Sequence, residues 1–115
     1  MLPKQFRLRK TKDFDLIWKK GRSFFVKTLG AKVVKNELPD SRFGFVVSTK
    51  ISKKAVVRNR VKRLLRQMIH EKLAEIKPGF DVIFYARPGI QILETPEFNQ
   101  QVKFTLTKLG LLNEK

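Results

Sequence analysis

The chain has 115 residues and a formal net charge of +16, with 26 Lys and Arg against 10 Asp and Glu. The length suits one domain, expected over residues 1–115, and a 42% hydrophobic content argues against a disordered chain. The absence of cysteine excludes disulfide and thiolate chemistry, and no apolar run approaches the ~20 residues that span a bilayer.

The opening residues lack the apolar core of a signal peptide, so a cytoplasmic protein is expected. Residues 11–20 predict a short helix. Thr11 is the expected cap, Asp13 sits in the first turn, Lys19 and Lys20 sit in the last, and Gly21 is placed as the stop. Phe14, Ile17 and Trp18 share one face of it. Residues 24–34 are rich in β-branched and aromatic types and predict one long strand or two short ones, broken at Gly30. A turn over 35–41 and a strand over 42–48 follow. That strand points Phe43, Phe45 and Val47 one way and Arg42, Gly44 and Val46 the other.

Residues 56–76 carry the strongest helical period. Val57, Val61, Leu64, Leu65, Met68, Ile69, Leu73 and Ile76 form its apolar stripe, and Pro78-Gly79 ends it. Residues 80–86 predict a strand apolar on both sides, hence central. Thr95 as cap and Pro96 at the first helical position start a last helix, with Phe98, Val102, Leu106 and Leu109 as its core face. The order helix, strands, helix, strand, helix is an α+β pattern.

The charge is concentrated in one place. Between residues 50 and 66, Lys50, Lys53, Lys54, Arg58, Arg60, Lys62, Arg63 and Arg66 are basic and no residue is acidic. On the helix, Asn59, Arg60, Lys62, Arg63 and Arg66 lie opposite the apolar stripe, while Arg58 falls near its edge, over the helix start. A solvated helix face ordinarily mixes charge signs, because like charges at helical spacing repel. Uncompensated repulsion over several turns points to a polyanion. Nucleic acid is the first candidate and an anionic membrane surface the second. A helix-turn-helix reading is disfavoured, because strands flank the basic helix and no short turn joins it to a preceding helix. Trp18 is the only tryptophan and stands between Arg7, Arg9 and Lys10 on one side and Lys19 and Lys20 on the other. Such an aromatic suits stacking on unpaired bases. No catalytic constellation emerges. His70 is alone and on the polar side of the helix, Asp13 and Asp15 do not share a face, and no spacing suggests a metal cage or a phosphate loop.

The run from Ser48 to Arg66, with Arg58-Asn59-Arg60 and Lys62-Arg63 at its centre, resembles the signature of the bacterial ribonuclease P protein component. The resemblance spans nearly the whole chain. It includes residues 7–14 and Trp18-Lys-Lys-Gly21, Arg42-x-Gly44-Phe-Val-Val-Ser48, and the strand from Asp81 to Arg87-Pro88. It implies a two-layer α/β sandwich with a left-handed strand-helix-strand crossover, related to a ribosomal-protein domain. It also implies a one-to-one complex with a catalytic RNA that requires Mg2+. That RNA removes the 5′ leader of precursor tRNA, and the protein itself carries no catalytic residue and no metal. Lys50, Lys53, Lys54, Arg58, Asn59, Arg60, Lys62, Arg63 and Arg66 then bind RNA, with Arg60 and Lys53 toward the ribozyme and Arg58, Asn59, Lys62, Arg63 and Arg66 as the basic side of the leader cleft. Phe14, Trp18 and Lys32 then line the leader cleft.

Two departures from the family pattern stand out. Lys32 occupies a position where many members have a floor Tyr, which shifts the expected leader contact toward electrostatics. Residues 51–54 lack the family's Gly and are one residue longer. The alternatives are a ribosomal or ribosome-associated RNA-binding protein, and a stand-alone nuclease, which the missing acid–base pair disfavours.

Overall fold

The structure, a computed structural model, describes residues 2–113. Three helices, α1 (Thr11–Lys20), α2 (Ala55–Lys72) and α3 (Thr95–Lys108), surround four strands, β1 (Arg22–Phe25), β2 (Leu29–Lys35), β3 (Arg42–Val46) and β4 (Phe80–Ala86). The strands form one sheet in the order β1-β2-β4-β3. The β1–β2 and β2–β4 pairs are antiparallel, and β3 and β4 are parallel. A parallel pair needs a crossover, and here it runs through α2. The mixed α+β architecture is the expected one, and β4 is central as its two-sided apolar pattern requires.

Strand alternation divides the sheet into two faces. Phe24, Ala31, Phe84 and Phe45 form one row of register partners, and Val33, Val82 and Phe43 belong to the next. These rows meet Val61, Leu65, Met68 and Ile69 of α2 and Phe98, Val102 and Leu106 of α3 in the main core. The Phe45 and Phe84 rings stack there at 6.0 Å. Burying each such side chain contributes roughly 1.5–3 kcal/mol. The opposite face holds a smaller cluster, Leu8, Ile17 and Ile83, with Phe14, Val34 and Val46 packed around it. The α2–α3 layer covers one face fully, while α1 covers only part of the other.

Local details depart from the sequence expectation. Helices α1 and α3 begin at Thr11 and Thr95, so Lys10 and Glu94 occupy the cap positions, without a side-chain cap bond. Gly21 does end α1, but in extended backbone (φ −69°) and not in the left-handed region. Its role is close approach: a Cβ there would lie 2.4 Å from the Ile17 carbonyl oxygen. The break between β1 and β2 falls at residues 26–28, with Gly30 inside β2. Strand β3 stops at Val46, although Val47 is still buried. The helical period that reads to Ile76 ends as a 3-10 turn, Leu73–Glu75, after α2.

One polar network locks the smaller face. Arg42 donates through Nε and Nη2 to the two carboxylate oxygens of buried Asp81, at 2.9 and 2.7 Å. Asn36 Nδ2 donates to the same carboxylate at 2.7 Å, and Asp13 on α1 lies 3.7 Å from Arg42 Nη1. The hydrogen bonds that Arg42 donates to Asp81 are the main cause that raises the Arg42 pKa, with burial opposing them. Asp81→Ala leaves a half-covered guanidinium without its bidentate partner. It should destabilise the fold by about 3 kcal/mol, the low end for a broken buried pair, because Arg42 keeps some solvent. Chemical denaturation measures this, and a loss under about 0.5 kcal/mol would show the network to be dispensable.

Candidate nucleic-acid interface

The α2 side of the interface follows from its amphipathic pattern. Packing Val61, Leu65, Met68 and Ile69 into the core turns Asn59, Arg60 and Arg63 outward, with Lys62 and Arg66 half-buried beside them. Asn59, Arg63, Arg66 and Gln67 line one concavity on this surface. Among the described residues, the ion pairs are Arg42–Asp81 and Arg42–Asp13. Among the described residues, all eight cations of residues 50–66 therefore stand outside carboxylate pairing. His70 is exposed and apart from this cluster.

Arg58 is half-buried and acts locally. Its Nη1 donates to the Ser52 carbonyl at 2.9 Å and ties the first turn of α2 to the segment before it. That segment needs no glycine. Ser48 Oγ accepts from the Lys50 N–H and Ser52 Oγ from the Lys54 N–H, and Ile51 is buried as a plug. No residue in it has positive φ. Lys50, Lys53 and Lys54 are left exposed. They follow β3, whose C-terminal end lies beside that of β4 because the pair is parallel, with Val46 opposite Tyr85.

The second part is the half-covered sheet face. Phe14 crosses onto β3, where its ring fills the space above Gly44; a Cβ there would lie 2.6 Å from the ring. Trp18, one helical turn on, is 36% exposed at the edge of α1. Lys32 is not a free cation in the cleft. Its Nζ donates to the Trp18 carbonyl at 2.8 Å and sits 5.3 Å from the centre of the indole. Bonding the last turn of α1, it acts where a helix C-terminus favours a cation.

The aromatic floor that Lys32 removes from β2 returns on β4. Tyr85 lies 5.5 Å from Trp18, tilted at 45°. Its ring lies across Gly30, the β2 residue opposite it. Phe14, Trp18, Lys32 and Tyr85 form one site. Tyr85 was legible only as a strand residue, although the alternation Asp81, Ile83, Tyr85 already opposes it to Val82 and Phe84.

The chain is similar to one set of known proteins. The Ribonuclease P family model matches residues 2–110. The ribonuclease P protein component of Synechocystis is 43% identical over 97% of this chain and 91% of its own length. That of Alkaliphilus metalliredigens is 35% identical over 93% and 96%. The solved RNase P protein of Staphylococcus aureus superposes with a TM-score of 0.87 at 28% identity, over 94% of this chain and 98% of that one. The RNase P protein of Thermotoga maritima gives 0.82 at 29% identity, over 89% and 96%.

The role of Lys32 is checked through Trp18, the only tryptophan. Lys32→Met keeps the aliphatic stem and removes the ammonium. Trp18 emission should shift to longer wavelength and its acrylamide quenching should rise, with a global loss near 1 kcal/mol. Unchanged emission and quenching would show that the end of α1 is held without Lys32.

Proposed function

Since this chain belongs to the ribonuclease P protein family, we propose that it works with the family's RNA subunit to remove the 5′ leader of precursor tRNA. Membership makes it a ribonucleoprotein component with an RNA partner. The finer assignment rests on one observation: an uncompensated basic helix starts beside the open end of a sheet face bordered by Phe14 and Trp18. Two kinds of RNA contact are available there, and they differ in chemistry.

The basic surface suits RNA phosphates. Lys50, Lys53, Lys54, Arg58, Arg60, Lys62, Arg63 and Arg66 neutralise phosphates and release counterions, and Asn59 adds an uncharged donor and acceptor. Arg58, Asn59, Lys62, Arg63 and Arg66 form the basic side of the leader cleft. Arginine forks hold phosphate oxygens bidentately. Arg60 and Lys53 face the catalytic RNA, and Arg58 braces the turn that presents the lysines. The cleft suits an unpaired strand, because Phe14, Trp18 and Tyr85 offer surfaces that a paired base cannot reach. Lys32 keeps the cleft wall in position.

In this reading the protein does not break the phosphodiester. The RNA supplies the reaction centre and the magnesium that serves it. The protein binds the leader, fixes its direction, and lowers the repulsion between two polyanions. The assembly contains one protein and one RNA and works in the cytoplasm. Among the described residues no helix is long and apolar enough to cross a membrane.

The test is cleavage of precursor tRNA by a matched ribonuclease P RNA at low magnesium, with the protein, without it, and with the protein alone. Cleavage should require both components. Cleavage by the protein alone, or no effect on the RNA, would overturn the assignment. With ~5 phosphates neutralised on a single strand, log K for the leader should fall with log salt at a slope of about −3.5. Arg63→Ala should flatten that slope by about one unit, and an unaltered slope would show that Arg63 touches no phosphate.

A further inference from the structure

The open sheet face extends beyond the residues that α1 borders. Phe25, Gly30, Tyr85 and Val46 are register partners across all four strands. The next row, Ser23, Lys32, Ile83 and Gly44, runs beneath Ile17 and Phe14 of α1. The first row is less covered: Phe25 is 57% exposed and Tyr85 is half-buried. Gly30 makes the row continuous. A Cβ there would lie 2.1 and 2.2 Å from Cζ and Cε2 of Tyr85, so only glycine lets that ring lie over β2. Beyond it stands Phe25, with the Arg87 guanidinium 4.2 Å over its ring.

Two features separate this row from ordinary packing. Phe24, the neighbour of Phe25, turns to the core side and packs against Phe104 at 6.1 Å. Phe25 turns the other way, and the group over its ring is a cation instead of an apolar side chain. Tyr85 stands on β4 and Phe25 on β1, with β2 between them, and successive strands lie about 4.8 Å apart. The Tyr85 ring lies over Gly30 of β2 and so narrows that gap, with Trp18 beside the ring on one side and the Phe25–Arg87 pair one strand beyond it. Aromatics presented along one sheet face stack two or three successive unpaired bases.

We propose that Tyr85 and the Phe25–Arg87 pair form a stacking floor for two consecutive unpaired nucleotides of the leader, beyond Trp18. The proposal rests on the leader reading above and names how that strand is held. Because every base has a π-face, the floor tolerates any sequence, with purines favoured by their larger stacking area. Arg87 adds a cation beside the backbone. Gly30 is the positioning residue of the floor, acting through the Tyr85 ring.

The holoenzyme, assembled with a matched ribonuclease P RNA, tests this with precursor tRNAs carrying one abasic nucleotide stepped along the leader. The wild type should lose affinity at two adjacent positions. Phe25→Ala should erase the loss at one of them and Tyr85→Ala at its neighbour. Each should lower affinity for the intact precursor, relative to mature tRNA, by about tenfold. Tyr85→Phe keeps the ring and should keep the affinity, and Phe25→Ala removes an exposed side chain, so neither depends on a disturbed fold. If the wild type distinguishes precursor from mature tRNA but both alanine variants do so equally well, the floor is overturned and the leader reading stands. If the wild type makes no such distinction, the leader reading fails and the floor fails with it.

Discussion

The alternation of β4 is the constraint on which the rest of the molecule depends. As the central strand it is covered on one face by the α2–α3 layer and on the other only as far as α1 reaches. Val82 and Phe84 are fully buried against the main core. The odd-numbered residues face α1 and change character along the strand. Asp81 anchors Arg42, Ile83 packs beneath Ile17, and Tyr85 emerges beside Trp18. Arg87, just beyond the strand, covers Phe25. One strand face thus runs from a buried ion pair, through apolar packing, to a half-buried aromatic and a cation. A slip of one residue would put Asp81 and Tyr85 in the main core and Phe84 in water, so the register is strongly specified.

Charge is distributed by the same logic. The few carboxylates are used where geometry matters. Asp81 and Asp13 hold Arg42, and with it β3, β4 and α1. Among the described residues, the cations of residues 50–66 receive none. Lys72 shows the cost of covering a charge in this fold: it is buried, donates to Asn99, and its pKa is lowered mainly by burial. The basic residues of the first turns of α2 avoid that cost by staying at the surface, where self-repulsion is relieved only by an outside anion. Binding of a polyanion then stabilises the folded state by linkage, since the unfolded chain offers no aligned surface.

Much of this was legible in the sequence because the signals were local and periodic. The α2 stripe, the central position of β4, and the core face of α3 follow from spacing alone, and so does the segregation of basic residues from apolar ones. The cap positions were misread because Thr11 and Thr95 are good capping residues, while the extended turn at Lys10 and Glu94 is set by tertiary placement. Gly30 read as a break, although a glycine inside a strand also marks a close approach, and here it receives the Tyr85 ring. Tyr85 and Phe25 do not stand out in the sequence for one reason. Their nearness to Trp18 and Arg87 depends on strand order and register across β1, β2 and β4, which no local pattern encodes. Lys32 was read as a lost stacking surface because one position was considered without its cross-strand neighbours.

In the proposed function, the same geometry lets a small basic domain serve a strand and a folded RNA together. A folded RNA presents phosphates in a fixed array, which a rigid helix face can match without ordering anything further. An unpaired strand presents bases whose freedom must be lost on binding, and aromatic contact offsets that loss in a way that point charges alone do not. The two surfaces meet where parallel β3 and β4 end side by side, one leading into the lysines before α2 and the other into Arg87. The parallel pairing therefore does more than close the sheet. It brings the start of the basic helix to the open end of the aromatic cleft, which is where the proposed function needs a strand leaving the cleft to meet the surface for the folded partner.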